Sequence, residues 1–489
     1  MSLAKSTYTA LLWSFIDRAG EQVLRFVFSI VLARLLLPAD FGLLGMAYVV
    51  TEIARIIVQG GLGLGLINKK NTSIIDESSV FYVNLVLGFL GTVIVYSLAP
   101  VICSFYKNSA IIPIVRILSL NIVLGATGTI QTVLMTKKIN FKTQTKVSIS
   151  ATSISGAIGI IMAFKNFGIW ALVYQNLIRT AIYSLLMWFT YKWRPKIVFS
   201  LKSIIELFNF GYKILLGNLA QVIFNNIYVI LIGRLFSPVQ LGYFTRAQQT
   251  QQIPIDTMST IIWRVTFPVM STIKDDEVRF KSALRKAIKN LAFIVFPSMV
   301  ICTIAAPTLF YILFGERWAP SVPMFQLLCI ATIFLPIEQI LQNSIMAKGK
   351  SGLLLGLQIE KYVTTIVSII MTFKFGILGM LIGFGIISYA NIMLNIYFVK
   401  REIGYNFQNL IADLFPSAVC TTASGLLAYA LGATLPLNSI LSLCIQIIAA
   451  AGTYIGLCYI IKLDVFFDNL SLVWTLVNKY RKNTVSESI

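Results

Sequence analysis

Apolar segments of about 20 residues, separated by short polar loops, follow one another along the whole chain. The hydrocarbon core of a bilayer is about 30 Å thick, so each such segment is long enough to cross it as a helix. The pattern therefore predicts an all-α integral membrane protein with about fourteen spans. These spans are placed at 8–34, 40–65, 79–104, 112–136, 146–164, 168–191, 204–234, 241–270, 290–314, 321–346, 352–373, 376–399, 413–433 and 438–461.

Basic residues are concentrated in alternate loops. One set of loops is rich in lysine and arginine, as at 137–142, 192–196 and 274–286, whereas the loops between them carry isolated cations such as Lys107 and Lys374. An excess of lysine and arginine marks the cytoplasmic loops of membrane proteins. An even number of spans, with both termini in the cytoplasm, satisfies this rule along the whole chain.

The chain contains an internal repeat. The segment ARLLLPADFG at 33–42 returns as GRLFSPVQLG at 233–242, a shift of 200 residues. Six helices per repeat is an even number, so both repeats enter the membrane from the same side and are parallel. Two further matches keep the order: Gln131, Met135 and Lys137 return after 211 residues as Gln342, Met346 and Lys348, and 167–169 returns as 375–377.

The repeat divides the chain into three predicted parts. Residues 1–200 form an N-terminal lobe of helices 1–6, and residues 201–412 form a second lobe of helices 7–12. Residues 413–489 lie outside the repeat and contain helices 13 and 14 and a cytoplasmic tail. The polar segment 273–289 is predicted to be either an amphipathic helix on the membrane surface or a solvated linker.

The first predicted span carries four charged residues, Asp17, Arg18, Glu21 and Arg25. A charge at the centre of a membrane helix costs roughly 2.5–3.5 kcal/mol. At about 100° per residue the four side chains share one face of the helix, and the opposite face is apolar. The charged face is therefore expected to contact water, a partner or a ligand inside the membrane.

The same face returns in the second repeat without its charges. A shift of 200 residues places Arg18 on Asn218, Glu21 on Gln221 and Arg25 on Asn225. We predict that these polar faces line a central cavity. The predicted substrate-binding residues are Arg18, Arg25, Arg55, Arg246, Arg264, Asn218, Gln221, Asn225, Gln249 and Gln252. The carboxylates predicted to couple transport to an ion are Asp17, Glu21, Glu52 and Asp256.

Arginine exceeds carboxylate on these helices by five to four. Arginine stays ionised and binds phosphate oxygens through a planar fork, and the amides supply the donor and acceptor pairs that sugars require. The set predicts a site for a sugar-bearing phosphate or diphosphate, although a nucleotide or an acidic drug fits the same chemistry. The structural alternative is that ion pairs, such as Asp17 with Arg18 or Arg25, and Glu52 with Arg55, hold the helices together.

The composition agrees with a membrane protein and excludes several chemistries. The chain is 57% hydrophobic and 12% charged, whereas soluble domains carry about 25% charged residues. Its net charge of +21 is spread over the loops, so no nucleic acid partner is expected.

Histidine is absent and the six cysteines lack CxxC spacing, so no metal site is expected. Without a Walker or GxSxG motif, neither a cofactor nor enzymatic activity is expected, and the glycines at 60–65 predict close packing or a hinge.

Two segments carry a family resemblance. ARLLLPADFG after a charged first helix, and FGERWAPSVPMFQLLCI at 314–330, resemble the polysaccharide transporter (Wzx-type flippase) family. Its parent superfamily includes lipid II flippases and multidrug antiporters. The resemblance implies movement of undecaprenyl-diphosphate-linked oligosaccharide across a bacterial inner membrane by alternating access. It implies membrane lipids, a polysaccharide polymerase and chain-length proteins as partners, and cavity arginines on helices similar to those of Arg18, Arg25, Arg55 and Arg246.

Two other functions are weighed against a flippase. A multidrug antiporter binds cationic drugs through carboxylates and would have an acid-rich cavity, which the arginine excess disfavours. A membrane-embedded glycan polymerase or glycosyltransferase usually needs a sizeable outer loop for catalysis, whereas the predicted outer loops, such as 35–40, 105–111 and 315–320, are short. The pathway, whether O-antigen, capsule or exopolysaccharide, is left open by the sequence.

Overall fold

The computed structural model describes residues 20–434 and 440–471, apart from the side chains of 256–265, 267–269, 433 and 434. All regular elements in this part of the chain are helices, which confirms the predicted all-α membrane fold. Ten of the described segments are long and apolar enough to cross a bilayer. The total of fourteen spans stays a prediction.

The chain packs as two compact units, Met1–Arg246 and Ala247–Ile489. The lobe borders predicted at 200 and 412 stay predictions. The helices of the first unit are α1 (20–35), α2 (Pro38–Gln59), α3 (Leu62–Asn68), α4 (Ile74–Tyr106), α5 (Ile111–Lys137), α6 (Phe141–Phe164), α7 (Ile169–Thr190), α8 (Leu201–Asn225), α9 (Ile227–Leu235) and the start of α10 (Pro238–Thr272). Those that follow in the second unit are α11 (Glu277–Phe314), α12 (Ser321–Thr332), α13 (Leu335–Ala347), α14 (Ser351–Thr372), α15 (Gly376–Ile403), α16 (Phe407–Thr434), α17 (Ile440–Ile460) and α18 (464–471).

Several predicted spans differ from the observed helices. The span predicted at 40–65 is interrupted because Gly60 and Gly61 have left-handed backbone angles, with φ of 57° and 70°. The predicted span 204–234 breaks at Asn226, and 321–346 breaks at 333–334. In the opposite direction, the polar segment 273–289 is helical from Glu277 onward and is continuous with the span that ends at Phe314.

The predicted repeat is visible in the local structure. Residues 31–40 and 231–240 have the same succession of a helix end, a two-residue break and a new helix beginning at a proline. These two prolines, Pro38 and Pro238, lie beside the glycine of the opposite copy. A Cβ atom on Gly42 would overlap the carbonyl oxygen of Pro238, and one on Gly242 would overlap that of Pro38. The two copies of the motif therefore pack reciprocally, backbone against backbone.

The later match needs a shift one residue shorter than predicted. After α5 the Asn140 amide donates to the Met135 carbonyl, and after α13 the Lys350 amide donates to the Ile345 carbonyl. The two turns are thus related by 210 residues, and the shift of 211 inferred from Gln131 and Gln342 is wrong. A one-residue error of this kind is expected where a few identical residues lie near a turn. Backbone hydrogen bonding, and not residue identity, sets the register between the two repeats.

The first unit has a tightly packed core where α8 crosses α3. A Cβ atom on Gly61 would overlap the backbone of Gly211, and one on Gly211 would overlap that of Gly61, so only glycine permits this crossing. This confirms the close packing predicted for the glycines at 60–65. The buried side chains around the crossing are Leu62, Leu66, Val80, Phe81, Ile130, Val133, Leu134 and Leu207.

Charged residues hold the same end of the first unit together. Lys69 Nζ lies 3.1 Å from a carboxylate oxygen of Glu206 and 3.3 Å from one of Asp76, and the hydrogen bond to Glu206 raises the pKa of Lys69. Lys137 Nζ donates to the carbonyl oxygen of Leu66 at 3.0 Å. We call this end, with Lys69 and Lys137, the basic end.

The second unit anchors the first turns of α11 to α16. Asp413 is completely buried, with 0% of its side chain exposed, and it accepts a hydrogen bond from Arg285 Nη2 at 2.7 Å. Tyr405 donates a further hydrogen bond of 3.2 Å to the same carboxylate. These contacts explain why 277–289 is a fixed part of a long helix and not a linker.

Candidate functional site

Glu21 is the centre of a polar cluster between α1, α6 and α7. Its Oε1 atom accepts hydrogen bonds from Arg25 Nε at 2.9 Å and from Arg179 Nη1 at 2.7 Å. Its Oε2 atom accepts one from the Ser148 hydroxyl at 2.6 Å. The Glu21 side chain is 19% exposed and that of Arg25 is 51% exposed. The carboxylate therefore acts as an anchor, and the Arg25 guanidinium faces open space.

A second cluster lies on α2. Arg55 Nε donates to a carboxylate oxygen of Glu52 at 3.0 Å, and the Arg55 side chain is exposed. Helix α2 packs against α7, which carries Arg179, so the second cluster lies on a helix that adjoins the first cluster. Three guanidinium groups share two carboxylates in these hydrogen bonds. The combined surface carries one excess positive charge.

The structural alternative of helix-locking ion pairs accounts for only part of this arrangement. The expected pair of Glu52 with Arg55 is present, but both residues belong to α2 and the pair joins no two helices. The pair of Glu21 with Arg179 does link α1 to α7. Arg25 and Arg55 thus retain exposed guanidinium edges that a purely structural role does not require.

The predicted polar residues of α8 and α10 are exposed. On α8, Asn218, Gln221 and Asn225 are all exposed. On α10, Gln249 and Gln252 are exposed, whereas the intervening Thr250 and Gln251 are buried. Exposed amides on membrane-spanning helices require water or a polar ligand beside them, because lipid cannot satisfy their hydrogen bonds.

Arg246 differs from the other predicted arginines. Its side chain is buried, with 2% of the residue exposed. The guanidinium donates to the Ser29 hydroxyl and lies 4.4 Å from the centre of the Phe41 ring. It therefore packs between α1, α2 and α10 in this conformation, and its contact with substrate stays a prediction.

Four predicted residues cannot be placed. Asp17 and Arg18 lie outside the described residues, as do the side chains of Asp256 and Arg264. Among the predicted residues that are described, Arg25, Arg55, Glu21 and Glu52 form the adjoining clusters of the first unit. The roles of all these residues stay predictions.

Sequence reasoning did not include Arg179 in the site. This arginine lies in the apolar span 169–190, eleven residues before its C-terminal end. A charge at such a position is by itself a signal of function. Its partner could not be found from the sequence, because Glu21 is 158 residues away along the chain.

A second buried ion pair lies in the other unit. Glu338 of α13 is only 4% exposed at its side chain, and Lys361 Nζ of α14 lies 2.9 Å from its Oε1 atom. Gln342 donates a 3.0 Å hydrogen bond to the same carboxylate. This cluster joins two neighbouring helices and supplies the counter-charge that a buried carboxylate needs.

We expect Glu21→Gln to destabilise the protein by about 1–3 kcal/mol, because Arg25 and Arg179 lose their shared ionised acceptor. The unfolding midpoint of the purified protein in nanodiscs measures the effect. The control is Glu206→Gln, which removes an exposed partner of Lys69 and should cost less than about 1 kcal/mol. Equal effects of the two substitutions would contradict the anchoring role of Glu21.

Comparison with known proteins gives the family. A family model described as "Polysaccharide biosynthesis protein" matches residues 31–323. The teichuronic acid biosynthesis protein TuaB of Bacillus subtilis is 25% identical over 438 residues, which cover 88% of this chain and 89% of that protein. The lipopolysaccharide biosynthesis protein WzxC of Escherichia coli is 24% identical over 444 residues, which cover 89% of each chain.

Two solved structures share the fold. The lipid II flippase MurJ in an inward closed conformation matches with a TM-score of 0.75 at 15% identity, over 93% of this chain and 99% of that chain. An inward-facing multidrug resistance MATE family transporter matches with a TM-score of 0.63, over 81% of this chain and 98% of that chain. These likenesses confirm the fold of the predicted superfamily. Because the family model covers more than half of its length, the chain belongs to the polysaccharide biosynthesis protein family.

Proposed function

We propose that this protein is a flippase that moves undecaprenyl-diphosphate-linked oligosaccharide repeat units from the cytoplasmic to the outer leaflet of the bacterial inner membrane. The observation that carries the proposal is the cationic surface of Arg25, Arg55 and Arg179 inside the membrane-spanning helices. The named relatives belong to the biosynthesis of different surface polysaccharides, and the fold is that of a lipid II flippase. A lipid-linked sugar diphosphate is the substrate class that fits both.

The chemistry of the site suits a diphosphate. A diphosphate loses its hydration when it enters a membrane protein, and guanidinium groups replace that hydration with forked, charge-assisted hydrogen bonds. Exposed amides such as Gln221 and Asn225 offer both donors and acceptors to sugar hydroxyls. The polyprenyl tail stays in the bilayer while the polar head passes through the protein by alternating access.

The membrane potential favours the proposed direction. We place the basic end and both termini in the cytoplasm, where the positive-inside rule puts lysine-rich loops. An inside-negative potential then drives an anion outward with about 2.3 kcal/mol per charge per 100 mV. Glu21 and Glu52 are the described carboxylates that we propose as participants in ion coupling. A polysaccharide polymerase and chain-length proteins are the proposed partners at the outer face.

The proposal is tested by deleting the gene and complementing it with single variants. We expect the deletion to remove surface polysaccharide and to accumulate the lipid-linked sugar on the cytoplasmic leaflet. Arg25→Ala and Arg55→Ala, with Arg18→Ala beside them, should each lower surface polysaccharide about tenfold or more at normal protein levels, because each removes a charged hydrogen-bond donor.

The matched control is Arg317→Ala, which removes an exposed arginine from a short turn between α11 and α12. It should leave surface polysaccharide unchanged. Full activity of all three cavity variants would refute the assignment of the site. Normal distribution of the lipid-linked sugar in the deletion strain would refute the function itself.

The antiporter alternative has a separate test. A drug-exporting protein would protect a pump-deficient host from cationic drugs. The excess of guanidinium over carboxylate in the described clusters disfavours binding of cations. We therefore expect no gain in drug resistance when the protein is expressed in such a host.

A further inference from the structure

A polar stripe runs along α8. Asn209, Lys213, Gly217, Gln221 and Asn225 recur at every fourth position, and all five residues are exposed. Residues four apart on a helix are offset by about 40° around its axis, so the stripe winds through about 160° of α8 over roughly 24 Å. Exposed apolar residues border this arc and interrupt it: Ile205 and Leu216 lie beside Asn209 around the helix, and Phe210 and Ile214 lie within the arc.

The exposed polar and apolar residues of α8 need different surroundings. The apolar residues suit lipid. A stripe with a lysine and three amides cannot face lipid without a large loss of hydration, so it faces a water-filled space. Gly217 lies at its centre, and a Cβ atom built there would have nothing within 4 Å, so the stripe borders open space at this point.

Lys213 lies deep within the span. It is seven residues beyond Glu206, which contacts Lys69 at the basic end. At about 1.5 Å per residue this distance is roughly 10 Å along the helix, well inside a hydrocarbon core of about 30 Å.

Lys213 also differs from those intramembrane cations that pair with a carboxylate. Arg25 and Arg179 share Glu21, Arg55 pairs with Glu52, and Lys361 pairs with Glu338. For Lys213 the described part of the chain offers the neighbouring Tyr212 ring, 5.9 Å from Nζ, and no carboxylate. Its charge is therefore available to an anion.

We propose that Lys213 binds the diphosphate of the lipid-linked substrate, with the open space at Gly217 holding the first sugars. This inference rests on the proposed function and adds a residue to its site. An ammonium group acts as a point charge that follows a moving phosphate, whereas Arg25 and Arg55 are held by their carboxylates. Gln221 and Asn225, further along the stripe, supply hydrogen bonds to the glycan.

The test measures binding of undecaprenyl diphosphate, without any sugar, to the full-length protein in nanodiscs. Lys213→Ala should weaken binding about tenfold or more, and Lys213→Arg should keep it within about threefold, because only the charge is essential. The matched control is Lys202→Ala, which removes an exposed lysine in the first turn of the same helix. Its binding should equal that of the wild type.

A second variant tests the open space without removing a charge. Gly217→Leu places a side chain where the structure has room. Leucine has a higher helix propensity than glycine, so folding is preserved. We expect the variant to bind undecaprenyl diphosphate normally and to lower surface polysaccharide about tenfold or more, because the sugars no longer fit. Normal surface polysaccharide would overturn this part of the proposal.

The outcomes separate the two proposals. If the wild type binds undecaprenyl diphosphate and Lys213→Ala binds it equally well, the role of Lys213 is refuted and the flippase function stands. If the wild type does not bind undecaprenyl diphosphate, the proposed function is itself refuted.

Discussion

Gly42→Ala is expected to lower the stability of the protein by about 3 kcal/mol or more and to abolish surface polysaccharide. The added Cβ atom would overlap the carbonyl oxygen of Pro238, and this oxygen belongs to the backbone and cannot rotate away. Overpacking in a close-packed interior costs typically about 1–3 kcal/mol, and a backbone clash lies at the upper end or beyond it. The start of α2 and the start of α10 would have to separate.

The reciprocal geometry makes the prediction sharper. Gly242→Ala should have a similar effect, because its Cβ atom would overlap the carbonyl oxygen of Pro38. The double variant should lose less than the sum of the single losses, since both substitutions open the same contact. The measurements are the unfolding midpoint in nanodiscs and the amount of surface polysaccharide in a complemented deletion strain.

Gly356→Ala provides the control. This glycine lies within α14, and a Cβ atom there would have no neighbour within 4 Å. Alanine should leave stability unchanged or raise it by up to about 1 kcal/mol, because alanine has the higher helix propensity. If Gly42→Ala behaved like this control, the close approach of the two repeats would be disproved.

The fold could be predicted because its signals are local. Apolar length gives the spans, and Pro38 and Pro238 mark the same helix start in both repeats. The breaks were harder, because Gly60 and Gly61 could equally have continued a helix on composition alone. The requirement for glycine at position 61 comes from the crossing with Gly211, which is a contact between segments distant in the sequence.

The clustering of charged residues on one helix face could be predicted from the sequence, whereas their pairing could not. The charged face with Glu21 and Arg25 follows from helical periodicity, and the structure places both in one cluster. Which carboxylate meets which arginine depends on tertiary packing, so the pair of Glu21 with Arg179 carries no local signal. The burial of Arg246 against Phe41 is hidden for the same reason, since a buried and an exposed arginine look alike in sequence.

The buried pair in the second unit leads to the other large expected effect. Lys361→Met should destabilise the protein by about 3–5 kcal/mol, because it leaves the Glu338 carboxylate buried without its counter-charge. In this variant the Glu338 carboxylate keeps the neutral hydrogen-bond donor Gln342. The unfolding midpoint in nanodiscs measures the loss, and Lys350→Met, which breaks a more exposed pair with Glu402, should cost less than about 1 kcal/mol.

The double variant Glu338→Leu with Lys361→Met shows why the single variant Lys361→Met loses stability. A buried ion pair pays a desolvation cost nearly equal to its attraction, so an apolar pair of similar volume is often as stable. We therefore expect the double variant to regain most of the stability that Lys361→Met loses. If it stayed as unstable as the single variant, the loss would come from the packing of the Lys361 side chain and not from an uncompensated charge. The ion pair lies within the second unit, and the arginine clusters lie within the first. Normal surface polysaccharide in the restabilised double variant would therefore show that the proposed binding surface does not depend on this pair.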